Sequence, residues 1–233
     1  MNRLLALLAL LLPAPALAAE RGFTVTSFDR VRIDGPFEVR LASGRSPAAR
    51  ATGDAEMLDR LSVTVDGTTL TVRLGGQGWG ERPRAATTQP IVLTLGTPTL
   101  RAVQANGGGR VAIAGMKGQR VDLTLSGTGA LAADGIAADQ LDASVIGSGS
   151  LRLAGRAART RLLSNGSGTI EAGTLAANDL VVRLDGTGAV SAAARYTAAI
   201  TSTGLGSVAV AGNPACTVNR EAAGPIACGS KQP

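Results

Sequence analysis

Along the second half of the chain, apolar residues alternate with small or polar ones in short bursts. The pairs Val111 and Ile113, Leu131 and Ala133, Leu151 and Leu153, Ile170 and Ala172, Val190 and Ala192, and Val208 and Val210 each follow a Gly-x-Gly triplet. Beside them stand Arg110, Ala130, Ser150, Arg152, Thr169, Glu171, Ser191 and Ser207. A period of two belongs to a strand with one face packed inward and the other in water. The same alternation leads up to the triplets in Val121, Leu123 and Leu125, in Leu141, Ala143 and Val145, and in Leu180, Val182 and Leu184. Two strands per interval are therefore predicted.

The triplets are Gly107-Gly108-Gly109, Gly127-Thr128-Gly129, Gly147-Ser148-Gly149, Gly166-Ser167-Gly168, Gly186-Thr187-Gly188 and Gly204-Leu205-Gly206, with first glycines 20, 20, 19, 20 and 18 residues apart. So regular a period marks a stacked repeat, each unit one coil of a solenoid. Glycine supplies positive φ without a Cβ penalty and lets one turn approach the next. Of the residues just before the turns, Asn106, Ser126, Asn165, Asp185 and Thr203 can hydrogen-bond turn backbone and Ile146 cannot. Stacking aligns the inward side chains into one apolar strip and pairs each strand with its copy one coil away, which predicts an all-β, parallel β-helix. Six coils at about 4.8 Å per strand give roughly 25–30 Å of rod.

Residues 19–100 are β-rich without clean repeats. Val31, Ile33, Phe37, Val39 and Leu41 alternate, Leu61–Leu74 reads as two strands joined at Asp66-Gly67, and Ile91, Leu93 and Leu95 begin another strand. Asp54–Leu61 is compatible with a short helical turn, and the Gly-rich stretch Gly75–Pro90 reads as an exposed loop. No Pro/Ser linker separates this part from the repeats over 101–212, so both are expected to share one core. Segment 213–233 departs from the repeat and is expected to cap the rod, whose open end would otherwise expose unpaired backbone.

Arg3, the apolar run Leu4–Leu12, Pro13, Pro15 and the small-residue site Ala16-Leu17-Ala18 form a secretory signal peptide, residues 1–18. No cysteine follows the site to carry a lipid anchor, and no stretch is apolar for the roughly 18 residues a membrane helix needs. Export sets the redox compartment: Cys216 and Cys228 are expected to form a disulfide closing the cap, the alternative being two free thiols. Without Arg3 the net charge of +6 becomes +5, on an exported chain where nucleic acid is not an expected partner.

The chain has no histidine, which excludes a Ser-His-Asp triad and a histidine metal site. Gly107-Gly108-Gly109 lacks the Gly-Lys-Ser/Thr of a phosphate loop, and the slots after the turns lack the aspartates of secreted calcium repeats, so no cofactor and no metal are expected. Asp122 and Asp142, one period of 20 apart, become neighbours if the coils stack in register, with Arg161 on the next coil. Paired carboxylates at such a distance can serve a retaining glycosidase or bind a cation. The preferred reading is a solvated ladder in which Arg161 relieves their repulsion, because exposed charges seldom gain a perturbed pKa. Trp79, beside Arg82 and Arg84, is either a contact residue or a plug under its loop. Arg152, Arg156, Arg159 and Arg161 are expected on one side or corner of two neighbouring coils, where the preferred reading is that they keep a long β surface soluble, the alternative being that Arg152, Arg159 and Arg161 are contacts for anionic glycan or phosphate-bearing lipid.

The opening Phe28-Asp29-Arg30-Val31-Arg32-Ile33-Asp34-Gly35-Pro36-Phe37-Glu38-Val39-Arg40-Leu41, the Leu61–Leu74 hairpin and the Ser-Gly-Thr-Gly and Gly-Ser-Gly repeats together resemble the auto-transporter adhesin head GIN domain family of bacterial envelope proteins. The resemblance covers nearly all the mature chain. It implies a pectin-lyase-like β-helix, no catalytic residues and a role in adhesion. Right-handed winding rests on the resemblance and on the hand of parallel crossovers. The expected function is an exported, non-enzymatic binding or adhesion module, periplasmic or at the surface of a Gram-negative cell, meeting glycan, protein or copies of itself. The alternatives are a polysaccharide lyase or glycosidase, which coils of 18 to 20 residues leave little room to wall, and a structural protein of the periplasm without a ligand.

Overall fold

The computed structural model describes residues 19–75, 90–220 and 224–230. Residues 1–18, expected as a signal peptide, and residues 76–89, which include Trp79, Arg82 and Arg84 and are expected as an exposed loop, lie outside the described residues. In chain order the elements are β1 (Ala19–Phe23), β2 (Arg30–Asp34), β3 (Glu38–Ser43), β4 (Ala48–Gly53), α1 (Ala55–Asp59), β5 (Leu61–Asp66), β6 (Thr69–Leu74), β7 (Val92–Thr97) and β8 (Ala102–Asn106). Five strands of 14 to 18 residues follow: β9 (Arg110–Gly127), β10 (Ala130–Gly147), β11 (Ser150–Gly166), β12 (Thr169–Gly186) and β13 (Ala189–Ser202), then β14 (Ser207–Gly212), β15 (Ala215–Arg220) and β16 (Ile226–Ser230). Among the described residues, no helix is long and apolar enough to cross a membrane.

The repeat is a parallel β-solenoid. β9 pairs with β10, β10 with β11, β11 with β12 and β12 with β13, all in parallel, and Leu131 lies opposite Val111 on one side and Leu151 on the other. The two strands expected per coil are one continuous run, whose cross-coil pairing shifts register at the corner between β10 and β11, β11 and β12, and β12 and β13. In β9, Val111 and Ile113 point inward after the turn, the chain rounds a corner at Gly115 (φ +79°), Met116 is buried on a short third side, and Val121, Leu123 and Leu125 line the second long sheet. Between β9 and β10 the corner keeps its cross-coil pairing because both coils bend at a positive-φ glycine in the same place, Gly115 and Gly135. In the lumen, β11 interrupts the aliphatic columns. Thr160 sits between Leu141 and Leu180, and Ser164 between Val145 and Leu184. Both hydroxyls are buried without a hydrogen-bond partner, at about 1–3 kcal/mol each.

The glycine triplets divide two physical tasks between their members. Gly147 adopts φ +112°, which an L side chain rarely tolerates. Gly149 has no such φ, but a Cβ there would lie 2.7 Å from the Gly129 carbonyl oxygen. The stack is sealed by backbone: Ser167 and Gly168 both donate to the Gly147 carbonyl, at 3.0 and 2.9 Å. Three of the polar residues before the turns, Asn106, Asp185 and Thr203, make side-chain bonds across coils. Asn106 Nδ2 donates to Asp34 Oδ1 at 2.5 Å, and Thr203 Oγ1 to Asp185 Oδ1 at 2.6 Å.

Residues 19–100 build onto the same stack. β2, Asp34-Gly35-Pro36-Phe37 and β3 make an additional turn beneath Gly107, with Val31 opposite Val103 and Val39 opposite Val111. β7 and β6 extend the two long sheets in parallel, and the antiparallel strands β4, β1 and β5 finish them. α1 is capped by Asp54, whose side chain accepts from the Met57 amide, and tucks Leu58 into the core. One apolar cluster runs from Phe28 to Val210.

The cap does not leave the repeat as expected. β15 and β16 pair in parallel with β13 and β14, placing Cys216 opposite Ala198 and Cys228 opposite Val210. The Cys216–Cys228 disulfide joins the two long sheets across the lumen, with Cα atoms 6.3 Å apart. Gly224 stacks on the turn of Gly204 and Gly206, and Gly206 to Gly224 repeats the 18-residue step from Gly186 to Gly204.

Candidate functional site

The long sheets turn outward rows of small, hydroxyl and charged side chains to water. On the first sheet these include Ala112, Ala132, Arg152, Glu171, Ser191 and Ala209 in one column, and on the second Asp122, Asp142, Arg161 and Val181. Ile146 and Val181 are large apolar side chains exposed on the second sheet, at 48% and 43%.

Asp122 and Asp142 are register partners, as their spacing predicts. The cation between them is not Arg161. Arg120 projects from the same outward side two residues ahead of Asp122, and its Nε lies 3.1 Å from Asp122 Oδ1 and its Nη2 3.0 Å from Asp142 Oδ2. Arg161 is opposite Asp142 in register without an ion pair to it. Gln140 Nε2 also donates to Asp142 Oδ2 at 2.9 Å. The hydrogen bond to Asp122, and then the charges of Asp122 and Asp142, raise the pKa of Arg120. Elsewhere on the outer faces two carboxyls, Asp185 and Asp34, are held low. Thr203 and Arg183 hydrogen bonds pull Asp185 below the ordinary carboxylate value, and at Asp34 burial pushes upward but the bonds from Asn106 and Arg32 outweigh it.

The four arginines between 152 and 161 do not share a face on two coils. All lie on β11, and because that strand wraps the whole circumference it spreads them around the rod: Arg152 on the first sheet, Arg156 on the short third side, Arg159 at the next corner and Arg161 on the second sheet. Arg152 also pairs with Glu171 at 3.6 Å. Among the described residues, no group of three His, Cys, Asp or Glu side chains is placed to hold a metal ion.

A cationic cluster that sequence reading misses sits where the third side begins. Arg30, Arg101, Lys117 and Arg120 line one groove of about 360 Å³, together with Thr99, Gln119 and Asp122. Arg30 and Arg120 are 90 positions apart, and only the return of β2 beneath β8 and β9 brings them together. One signal was available: where β9 has Lys117-Gly118-Gln119-Arg120, the aligned stretch of β10 is Ala137-Ala138-Asp139-Gln140.

Residues 27–214 match the family model described as "Putative auto-transporter adhesin, head GIN domain". The chain is similar in structure to a "putative adhesin" from Bacteroides fragilis, with TM-score 0.82 and 22% identity over 92% of this chain and 97% of that one. It is also similar to a "putative lipid binding protein" from Parabacteroides distasonis, with TM-score 0.73 and 19% identity over 91% and 96%, and to a "putative adhesin" from Parabacteroides merdae, with TM-score 0.70 and 18% identity over 91% and 96%. These likenesses establish the fold. Among curated proteins, none matches the chain in sequence.

Proposed function

The chain belongs to the auto-transporter adhesin head GIN domain family, and we propose that it is an exported, non-catalytic binding module that carries out adhesion at the bacterial envelope by presenting the outside of a rigid β-solenoid. The observation behind this reading is the state of its carboxylates. Glycoside cleavage needs one carboxyl held protonated by a raised pKa beside a free nucleophile. Among the described residues the carboxyls with displaced pKa, Asp34 and Asp185, are displaced downward, and Asp122 and Asp142, neighbours across two coils, are bridged by Arg120. What the solenoid offers instead is a surface whose backbone is fixed by pairing from coil to coil, so a ligand would meet side chains already held in place.

Protease shaving of intact cells tests the reading. Surface protease is expected to degrade the protein while a periplasmic marker survives, and cells lacking the protein are expected to attach less well to glycan-coated surfaces. Full protection of the protein in intact cells, with unchanged attachment, would exclude adhesion and leave a periplasmic structural role.

A further inference from the structure

We propose that the groove at the start of the third side binds an acidic sugar, one carrying carboxylate or sulfate groups. The proposal deepens the binding-module reading above by naming a site and a ligand class. It starts from an interruption in the fold. β9 is paired on its N-terminal side by β3 over Arg110–Ala114 and by β8 over Asp122–Ser126, and no described strand pairs with the stretch between. That stretch is paired only toward β10. The short third side of the solenoid therefore opens with a bare edge, and the groove lies against it.

The cations around this edge are not all spent on neighbours. Arg101 faces Asp29 at 3.8 Å, and Arg120 holds Asp122 and Asp142. Arg30 and Lys117 have no ion-pair partner among the described residues, and both are exposed. Two free cations beside two satisfied ones make a pocket that attracts an anion without needing to break an existing pair. At Gly118 a Cβ would meet nothing closer than the Arg120 carbonyl oxygen at 3.6 Å, so the peptide edge is open to a ligand.

The rest of the lining selects among anions. Thr99 and Gln119 supply a hydroxyl and an amide, groups that bond sugar hydroxyls as well as each other. The lining has no aromatic side chain on which a nucleobase would stack and no large apolar side chain for an acyl chain. An acidic peptide adding a strand would need a longer straight edge, whereas this one is closed off by the corner at Gly115 and by the pairing that resumes at Asp122. A volume of about 360 Å³ is at the small end of ligand pockets and suits one or two sugar units.

The test is titration calorimetry on the whole mature chain with a heparin hexasaccharide and trigalacturonate, against neutral maltohexaose, inorganic phosphate and an octaglutamate peptide. Binding of at least one acidic sugar is expected at low salt, weakening at high salt, with the three comparison probes much weaker. The Arg30→Gln, Lys117→Gln double variant is expected to lose at least about tenfold in affinity. Arg195→Gln, a cation four coils away on the same side of the rod, is expected to leave affinity unchanged. Thermal unfolding of each variant checks that it is folded. The proposal falls if neither acidic sugar binds, if phosphate or octaglutamate binds as well as they do, or if the double variant binds like the parent. Such a failure is separate from a failure of adhesion: shaving and attachment are read on cells, so an accessible, adhesive protein that ignores acidic sugars would sink the groove alone, and a protected protein that binds them would sink adhesion alone.

Discussion

The solenoid finishes in opposite ways at its two ends. At the N-terminal end the long sheets are continued by antiparallel strands, and the core is closed by side chains that are almost wholly buried: Leu58, Leu61, Leu70 and Ile91 are 5% exposed or less. In the last layer at the other end, Val218 occupies a lumen column, opposite Ile200, yet is 43% exposed. There the two sheets are tied by the Cys216–Cys228 bond. A coil cannot bury its own inward face, so every stack needs a terminal device. One end meets the need with apolar area and reversed strands, the other with a covalent cross-link over a layer that is only half covered.

The largest effect should come from removing apolar volume at the covered end. Leu70→Ala is expected to cost about 2–5 kcal/mol, while Val218→Ala costs under about 1 kcal/mol, both read from denaturant midpoints. Equal costs would mean that the two ends are packed alike. Next is the covalent device. Replacing Cys216 and Cys228 by Ser is expected to cost about 2–4 kcal/mol, and hydrogen exchange should speed up in β15 and β16 while β1 and β5 keep their protection. Loss of protection at both ends together would show that the rod unfolds as one unit.

The smallest effect sharpens the contrast between the middle of the stack and its edge. Gly149→Ala must push a Cβ toward the Gly129 carbonyl oxygen, now 2.7 Å from that position, and should cost about 1–3 kcal/mol. Gly22→Ala, on edge strand β1 with nothing within 4 Å, should be neutral or gain up to about 1 kcal/mol by restricting the unfolded chain. Thermal melts of the two variants decide it, and a costly Gly22→Ala would show that β1 is packed more tightly than its edge position implies.

Much of the repeat was legible because a two-residue apolar period and a 20-residue glycine period are both local signals. Inward columns such as Val111, Leu131, Leu151, Ile170, Val190 and Val208 come out as read. The disulfide was legible too, from the expected export and the pair of cysteines. The additional turn at Gly35 was not, because 72 residues separate it from the Gly107 turn it stacks upon, and no period survives that excursion. The partner of the aspartate pair was misread for a related reason. Register alone puts Arg161 beside Asp142, but a long side chain at Arg120 can reach two carboxylates from the same outward side.

Spacing along the chain, by itself, determined that these coils exist, which residues line them and where the glycines must stand, since inward packing and turn stacking repeat with the backbone and leave their period in the amino acids. Which cations meet in one groove, which carboxylates are clamped and how each end is closed were decided only by the tertiary structure. Those contacts join side chains from different coils and different sides of a corner, and long side chains choose among several neighbours by reach and charge, a choice that no linear period records.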